Sequence, residues 1–154
     1  MEHHFFDKCL SIISVILYFN KSARKLKGNS EVFKEIPSSL LPSFKRRFSF
    51  YVTYNKEKNY KKLYELISNK GFGSDNKPTL EDFMINMRQG LENKKFLNFT
   101  PIRIFYSEDI KSYVIEGNAK IGVKDWTYIE ERIVHAWHET NNWYFSTFLI
   151  RVDD

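Results

Sequence analysis

The chain contains few of the residues that mark several classes of protein. Its single cysteine, Cys9, excludes an intramolecular disulfide framework and a cysteine-rich zinc site. Six glycines and four prolines, without an internal repeat, exclude collagen-like and solenoid chains. Hydrophobic residues make up 42% of the 154 positions, which is enough to offset the entropy of ordering, so a disordered chain is excluded as well. A folded domain of ordinary size is the expectation.

The N-terminal apolar run is too short for a comfortable transmembrane helix. It covers residues 9–19, whereas a membrane span needs about 20 apolar residues. It is also a poor secretion signal, because Glu2 and Asp7 precede it and basic residues follow it. We predict an N-terminal helix here, buried or facing a partner, in a cytoplasmic protein. Export or membrane association through this run is the alternative.

Positive charge is concentrated in the earlier part of the chain. The formal net charge is +5, but residues 1–100 hold 18 basic and 10 acidic residues, whereas residues 101–154 hold 6 and 9. Residues 20–62 alone hold 12 basic and 3 acidic residues. Such a face could attract nucleic acid or anionic lipid. Its aromatic residues, among them Phe44 and Phe48, have the spacing of a buried helix, so we do not expect nucleic acid as the partner.

The composition divides the chain near Pro37. Residues 20–37 have the polar character of a linker, and Gly28 and Pro37 interrupt any regular element there. We therefore predict two parts. An N-terminal apolar helix with a basic linker covers residues 1–37, and a compact domain covers residues 38–154.

The compact domain begins with three predicted amphipathic helices. Apolar residues recur at three- and four-residue spacing from Leu41 to Val52, which favours a helix. Thr79 is suited to cap a later helix, since its hydroxyl can accept from a backbone N–H three residues on. The predicted helices cover about 40–54, about 57–69, and a stretch that begins at Thr79.

After residue 95 the pattern changes to the period of two that is typical of strands. Turns are predicted at 107–109, 124–125 and 141–142, which leaves four antiparallel strands. The fold class is therefore α+β. The last predicted strand, 143–152, is apolar on both faces, with Tyr144 and Phe148 opposite the face of Trp143. A strand covered on one side alternates more cleanly, so we predict a homodimer through the outer face of the sheet.

This order of elements resembles the nuclear-transport-factor-two-like superfamily, also called the cystatin-like cone fold, over about residues 38–154. The local features that carry the resemblance are residues 60–67, 79–83 and 142–144. The resemblance implies three helices in the concave face of a strongly bent antiparallel sheet of four to six strands, beside the extra N-terminal helix. It also implies a pocket at the wide end and frequent dimers. The superfamily includes ketosteroid isomerase and polyketide cyclases, but no catalytic residue is carried over to this chain.

Candidate site residues lie on the third predicted strand. Glu131, His135 and Trp137 share one strand face, and if that face lines the pocket, Glu131 and His135 are about 13 Å apart at ~3.3 Å per residue. Both could then contact one ligand, and burial could raise the pKa of Glu131 towards the range of a general base. Ion pairing of Glu131 with Lys120 or Arg103 on an exposed face is the alternative.

Tyrosines are the other candidates. Tyr51 and Tyr54 lie near the end of the first predicted helix, where a pocket of this kind opens, and a hydroxyl there could donate to a ligand carbonyl. Core packing with the hydroxyl at the rim is the alternative. The candidates for catalysis are Glu131, His135 and Tyr54. The predicted ligand-binding set is Tyr51, Tyr54, Tyr106, Glu131, His135 and Trp137.

The functional prediction is a domain that binds an apolar or aromatic small molecule. A proton-transfer isomerase, dehydratase or cyclase on the same fold is the first alternative. A protein or nucleic-acid interaction module that uses residues 20–62 is the second. We expect no metal, because His135 and His138, three apart on a strand, point to opposite sides, and we expect no cofactor.

Overall fold

The computed structural model describes residues 29–72 and 76–150, and over these ranges the chain is α+β, as predicted. The predicted helix over 9–19 lies outside them. The helices are α1 (Asn29–Val32), α2 (Leu41–Glu57), α3 (Tyr60–Leu66) and α4 (Leu80–Gly90), and a 3-10 turn covers Asn69–Phe72. The strands are β1 (Lys95–Ser107), β2 (Ser112–Val123), β3 (Trp126–Glu139), β4 (Asn142–Phe145) and β5 (Leu149–Ile150).

Helix α2 is the long helix predicted from apolar spacing. Pro42 stands in its first turn, where no intrahelical donor is needed. The helix extends to Glu57, beyond its predicted end, and stops because Lys58 takes a left-handed conformation with a φ of 56°. Its buried residues follow one stripe, so the helix presents a single face to the sheet. They are Phe44, Phe48, Tyr51 and Asn55.

The other two predicted helices are present with different bounds. Helix α3 is shorter than predicted, because α2 occupies Glu57 and because Ile67 is extended and bridges to Phe145. At the start of α4, the Thr79 hydroxyl accepts from the backbone N–H of Asp82 at 3.2 Å, as predicted. No described helix is long and apolar enough to cross a membrane.

The strands form one antiparallel sheet in the order β1-β2-β3-β4, and β5 pairs with β3 beyond the end of β4. The predicted turn at 124–125 is confirmed by the pairing of Val123 with Trp126. The turn between β3 and β4 lies one residue earlier than predicted, at Thr140 and Asn141. Their φ angles of 48° and 63° are those of a tight turn that suits the twist of a hairpin.

The prediction of one continuous last strand is wrong. Strand β4 ends at Phe145, and β5 begins only at Leu149. Between them the Ser146 hydroxyl accepts from the backbone N–H of His135, and the Ser146 N–H donates to the His135 carbonyl, both at 2.9 Å. The break brings Phe148 to the same side as Phe145. One premise of the predicted homodimer is thereby lost, and the homodimer stays a prediction.

The core lies between α2 and the sheet, and its centre is aromatic. The Trp143 ring lies 5.0 Å from that of Phe44, and the Phe145 ring lies 5.0 Å from that of Tyr51. All four residues are fully buried. Edge-to-face and tilted pairs of this kind add to the free energy gained by burying the rings. The packing therefore determines which face of the sheet is covered.

The core also receives residues that precede the predicted domain start. Ile36 is buried at 3% exposure, and Phe33 packs edge-on against Phe44 at 6.2 Å. The Glu35 carboxylate accepts from the backbone N–H of Tyr106 at 3.1 Å. These residues fall within the stretch predicted as a linker, and they join α1 to the compact body.

Gly117 is required for close packing of β1 on β2. A Cβ at this position would lie 2.5 Å from the Thr100 carbonyl oxygen and 2.5 Å from the Phe99 ring. We expect Gly117→Ala to lower the free energy of unfolding by roughly 1–3 kcal/mol or more, measured by urea denaturation. Gly90→Ala is the matched control, because its Cβ would meet nothing within 4 Å. Equal stability of the two variants would contradict this account of Gly117.

Candidate functional site

Register determines which side chains of β3 face the helices. Val134 pairs with buried Ile115, and Ala136 pairs with buried Phe145, so the even-numbered residues of β3 share the helix-covered face. That face also carries Tyr128, Glu130 and Arg132, since side chains alternate along a strand. The odd-numbered residues of β3 lie on the opposite face, which we call the outer face.

The predicted site residues of β3 lie on the outer face. Trp137 is 7% exposed there, and its ring meets that of His135 edge-on at 5.9 Å. Burial lowers the pKa of His135 below its ordinary value. Glu131 is exposed on the same face. Their role as ligand contacts stays a prediction, and the cavity described below is formed by other residues.

The predicted tyrosines are also outside that cavity. Tyr51 is fully buried and donates its hydroxyl to the Ser146 carbonyl at 2.7 Å, and burial holds its pKa well above the ordinary value. The Tyr54 ring stacks on Phe50 at 6.0 Å. Tyr106 is 42% exposed and packs edge-on against Tyr113. The structure therefore brings His135 and Trp137 into contact, but none of the predicted site residues lines the cavity described below.

A cavity of about 360 Å³ lies between α4 and the helix-covered face of the sheet. The C-terminal end of α2 reaches it through Asn55. Most of its walls are apolar, because α4 and the strands both direct their apolar stripes into this space. Apolar lining residues include Phe72, Phe83, Met87, Leu91, Phe96, Ile121 and Phe148.

Four polar side chains line one side of this cavity, and we call them the polar row: Lys94, Tyr128, Glu130 and Arg132. Arg132 donates from Nε to Glu130 Oε2 at 2.9 Å and makes a second contact to the same oxygen from its terminal nitrogen. Tyr128 hydrogen-bonds to Glu130, and Lys94 interacts with Tyr128. The row is thus a continuous chain of polar contacts.

The charges of the polar row determine the protonation of Glu130. Burial alone would raise the pKa of this carboxyl, but hydrogen bonds from Arg132 and Tyr128 and the nearby positive charges outweigh it, so the pKa lies below its ordinary value. Burial, the Glu130 hydrogen bond and its negative charge raise the pKa of Tyr128, which Lys94 lowers in part. At neutral pH the row therefore presents an ionised carboxylate, a neutral phenol and two cations.

This arrangement is better suited to binding than to proton transfer. A general base works best when its pKa is close to the operating pH, whereas that of Glu130 is lowered and its oxygen is held by Arg132. In the described ranges, no group of three or more histidine, cysteine or acidic side chains is arranged to hold a metal ion. The cavity can enclose an apolar body while the row meets a polar group.

The residues of β3 separate its two faces, but they do not decide which face lines a pocket. A signal for the face that the helices cover is present in the hairpin. Any two-residue turn near 140–142 places Trp143 and Phe145 on the same face as the even-numbered residues of β3. Since large aromatic side chains are usually buried, that face was the one to expect under the helices.

Comparison with known proteins assigns no family to the chain. No protein-family model matches the chain, and the searches of curated proteins and of solved structures find no match. The resemblance to the nuclear-transport-factor-two-like superfamily therefore stays a prediction.

The Tyr51 hydroxyl is predicted to stabilise the fold and not to contact a ligand. Tyr51→Phe removes the donor to the buried Ser146 carbonyl, so we expect the free energy of unfolding to fall by about 1–2 kcal/mol. Urea denaturation measures this loss. Affinity for a cavity ligand should stay unchanged, and a large loss of affinity in the folded variant would show that Tyr51 acts in the site.

His135 is predicted to make stability depend on pH. Because its pKa is lowered in the folded chain, protonation favours the unfolded chain. The contribution of neutral His135 to the free energy of unfolding is complete above the ordinary pKa of histidine. It is lost as the pH falls through that value towards the lower pKa of the folded chain. Between about pH 7.5 and about pH 5.5, the wild type should lose more free energy of unfolding than His135→Gln. Comparing the change between the two pH values removes any constant loss of packing, and equal changes would contradict the prediction.

Proposed function

We propose that the chain binds an apolar or aromatic small molecule in the cavity between α4 and the sheet. The observation that carries the proposal is the combination of apolar walls with one polar row. Small-molecule sites are concave, mostly apolar and supplied with a few convergent polar groups. The volume of about 360 Å³ is within the usual range for such sites, at its small end.

The walls supply affinity, and the polar row supplies orientation. An apolar ligand leaves water when it contacts half-buried apolar side chains of the walls, such as Met87 on α4 and Phe72 in the 3-10 turn. These positions are on regular elements, so the walls need little rearrangement on binding. Glu130 and Arg132 are on adjacent positions of one strand face, which gives the ligand a single preferred end.

The proposal includes the resemblance to the cone fold that the sequence predicts. A pocket beside the end of the long first helix agrees with the position of Asn55 at the C-terminal end of α2. The agreement is one of architecture, and architecture alone does not assign an activity. A homodimer through the outer face is compatible with this site, because the cavity lies on the opposite face of the sheet.

The alternatives receive less support from the structure. A proton-transfer enzyme would need a base in the cavity, and the lowered pKa of Glu130 opposes that role. For a nucleic-acid module, Phe44 and Phe48 are buried and therefore unavailable for stacking on bases. Phe50, in contrast, is 43% exposed.

A neutral fluorescent probe tests the proposed function directly. We expect N-phenyl-1-naphthylamine to gain fluorescence on binding to the full chain, because the apolar cavity excludes water from the dye. Met87→Trp replaces an unbranched thioether chain in the cavity with a bulkier indole ring. This variant should weaken binding of the dye roughly tenfold or more. Fluorescence titration gives both affinities.

The matched control is Ile85→Trp. Ile85 is on the same helix, is 43% exposed and does not line the cavity, so this variant should bind the dye as the wild type does. Equal weakening by both substitutions would place the dye elsewhere. Absence of dye binding to the folded wild type would contradict the proposed function.

A further inference from the structure

We infer that the ligand of this cavity is an apolar carboxylic acid, bound in its ionised form with its carboxylate at the polar row. The inference rests on the proposed function and names its ligand class. It follows from the charges on one side of the cavity and from the surface that adjoins that side. The apolar walls and the polar row would then hold opposite ends of one molecule.

The polar row carries a net positive charge. Lys94 and Arg132 contribute two positive charges, and Glu130 contributes one negative charge, so an anion is attracted by the row as a whole. The Glu130 carboxylate is already engaged by Arg132 and Tyr128, which leaves it a poor partner for a cationic ligand. An amine would meet the two cations without a free counter-ion.

Arg132 has more hydrogen-bond donors than Glu130 engages. A guanidinium has five N–H donors in a planar fork that matches a carboxylate. The hydrogen bonds of Arg132 among the described residues run from Nε and one terminal nitrogen to a single oxygen of Glu130. The other terminal nitrogen stays available to a second carboxylate. Because the Arg132 side chain is only 23% exposed, a charge-assisted bond there is less screened than on the surface.

The surface beside the cavity is rich in lysine. Lys94 lines both the cavity and an adjoining surface groove, which is also lined by Lys58, Lys95 and Lys124. Among the described residues, Asp125 is the one acidic side chain that lines this groove. Clustered charge of one sign raises the local concentration of the opposite ion and its rate of association. The groove therefore raises the local concentration of anions at the Lys94 end of the polar row.

The chemistry makes opposite predictions for the two members of the ion pair. Arg132→Gln removes a positive charge and a donor, so it should weaken binding of a carboxylate. Glu130→Gln keeps an oxygen that can accept from Arg132 but removes a negative charge, so it should strengthen binding of a carboxylate. A purely structural role for the pair would make both substitutions harmful.

Two matched probes test the inference. 1-Naphthaleneacetic acid and 2-(1-naphthyl)ethanol share one apolar body, and only the first is ionised at neutral pH. Each displaces N-phenyl-1-naphthylamine from the full chain at low salt, and the displacement gives its affinity. We expect the acid to bind at least about tenfold more tightly than the alcohol, and added salt should reduce that ratio.

The variants are measured with the same two probes. Arg132→Gln and Lys94→Gln should each weaken binding of the acid, by about tenfold and about threefold, and leave the alcohol within about twofold. Glu130→Gln should tighten binding of the acid. Lys120→Gln is the control, because it removes one exposed lysine from the outer face of β2 and should change neither affinity. Lys94 is exposed in a loop, so its variant keeps the test valid if Arg132→Gln fails to fold.

Failure of the inference differs from failure of the proposed function. If the neutral dye binds but the acid and the alcohol compete equally, the cavity binds apolar molecules without selecting a carboxylate, and the inference is overturned alone. A Glu130→Gln variant that weakens the acid would overturn it too. If the folded wild type binds neither the dye nor the two probes, both proposals fall.

Discussion

The packing of α2 against β4 is the constraint on which the rest of the structure depends. Aromatic rings from both elements interlock, and Trp143 adds hydrogen bonds to Ser43 and from Arg47 that fix the helix along the strand. Because β4 is joined to β3 by a tight turn, burying one face of β4 buries the corresponding face of β3. The helix thereby selects the side chains that face the cavity and those that face outwards.

The position of the cavity follows from the same packing. Helix α4 covers the end of the sheet that α2 leaves uncovered. The cavity lies between α4 and the sheet, and most of its lining is apolar. Charged groups on a covered face are costly unless they are paired, and Glu130 and Arg132 meet that requirement with each other. The pair lowers the pKa of the carboxyl and places a guanidinium group at the cavity.

Much of the architecture could be predicted because its causes are local. The apolar spacing from Leu41 to Val52 and the Thr79 cap each depend on residues within a few positions of one another. The break at Ser146 could not be predicted in this way. It depends on hydrogen bonds to His135 and Tyr51, which are distant in sequence, and it turns Phe148 to the inner side. The face of β3 that the helices cover depends on a similar long-range cause, so the residues of β3 alone do not tell whether Glu131 and His135 lie under the helices.

The sequence by itself determined the fold class, the order of helices α2 to α4 before the long strands, and the two sets of side chains that share a face on β3. Those properties follow from the helical and strand periods, which any reader of the chain can apply. Only the tertiary structure decided that Glu130 and Arg132 face the cavity while Glu131 and His135 face outwards. Both faces of β3 mix apolar and charged residues, so the pattern of β3 alone cannot rank them. The burial of the aromatic rings of β4 against α2 does so, because the side joined to Trp143 and Phe145 gains the larger free energy on being covered.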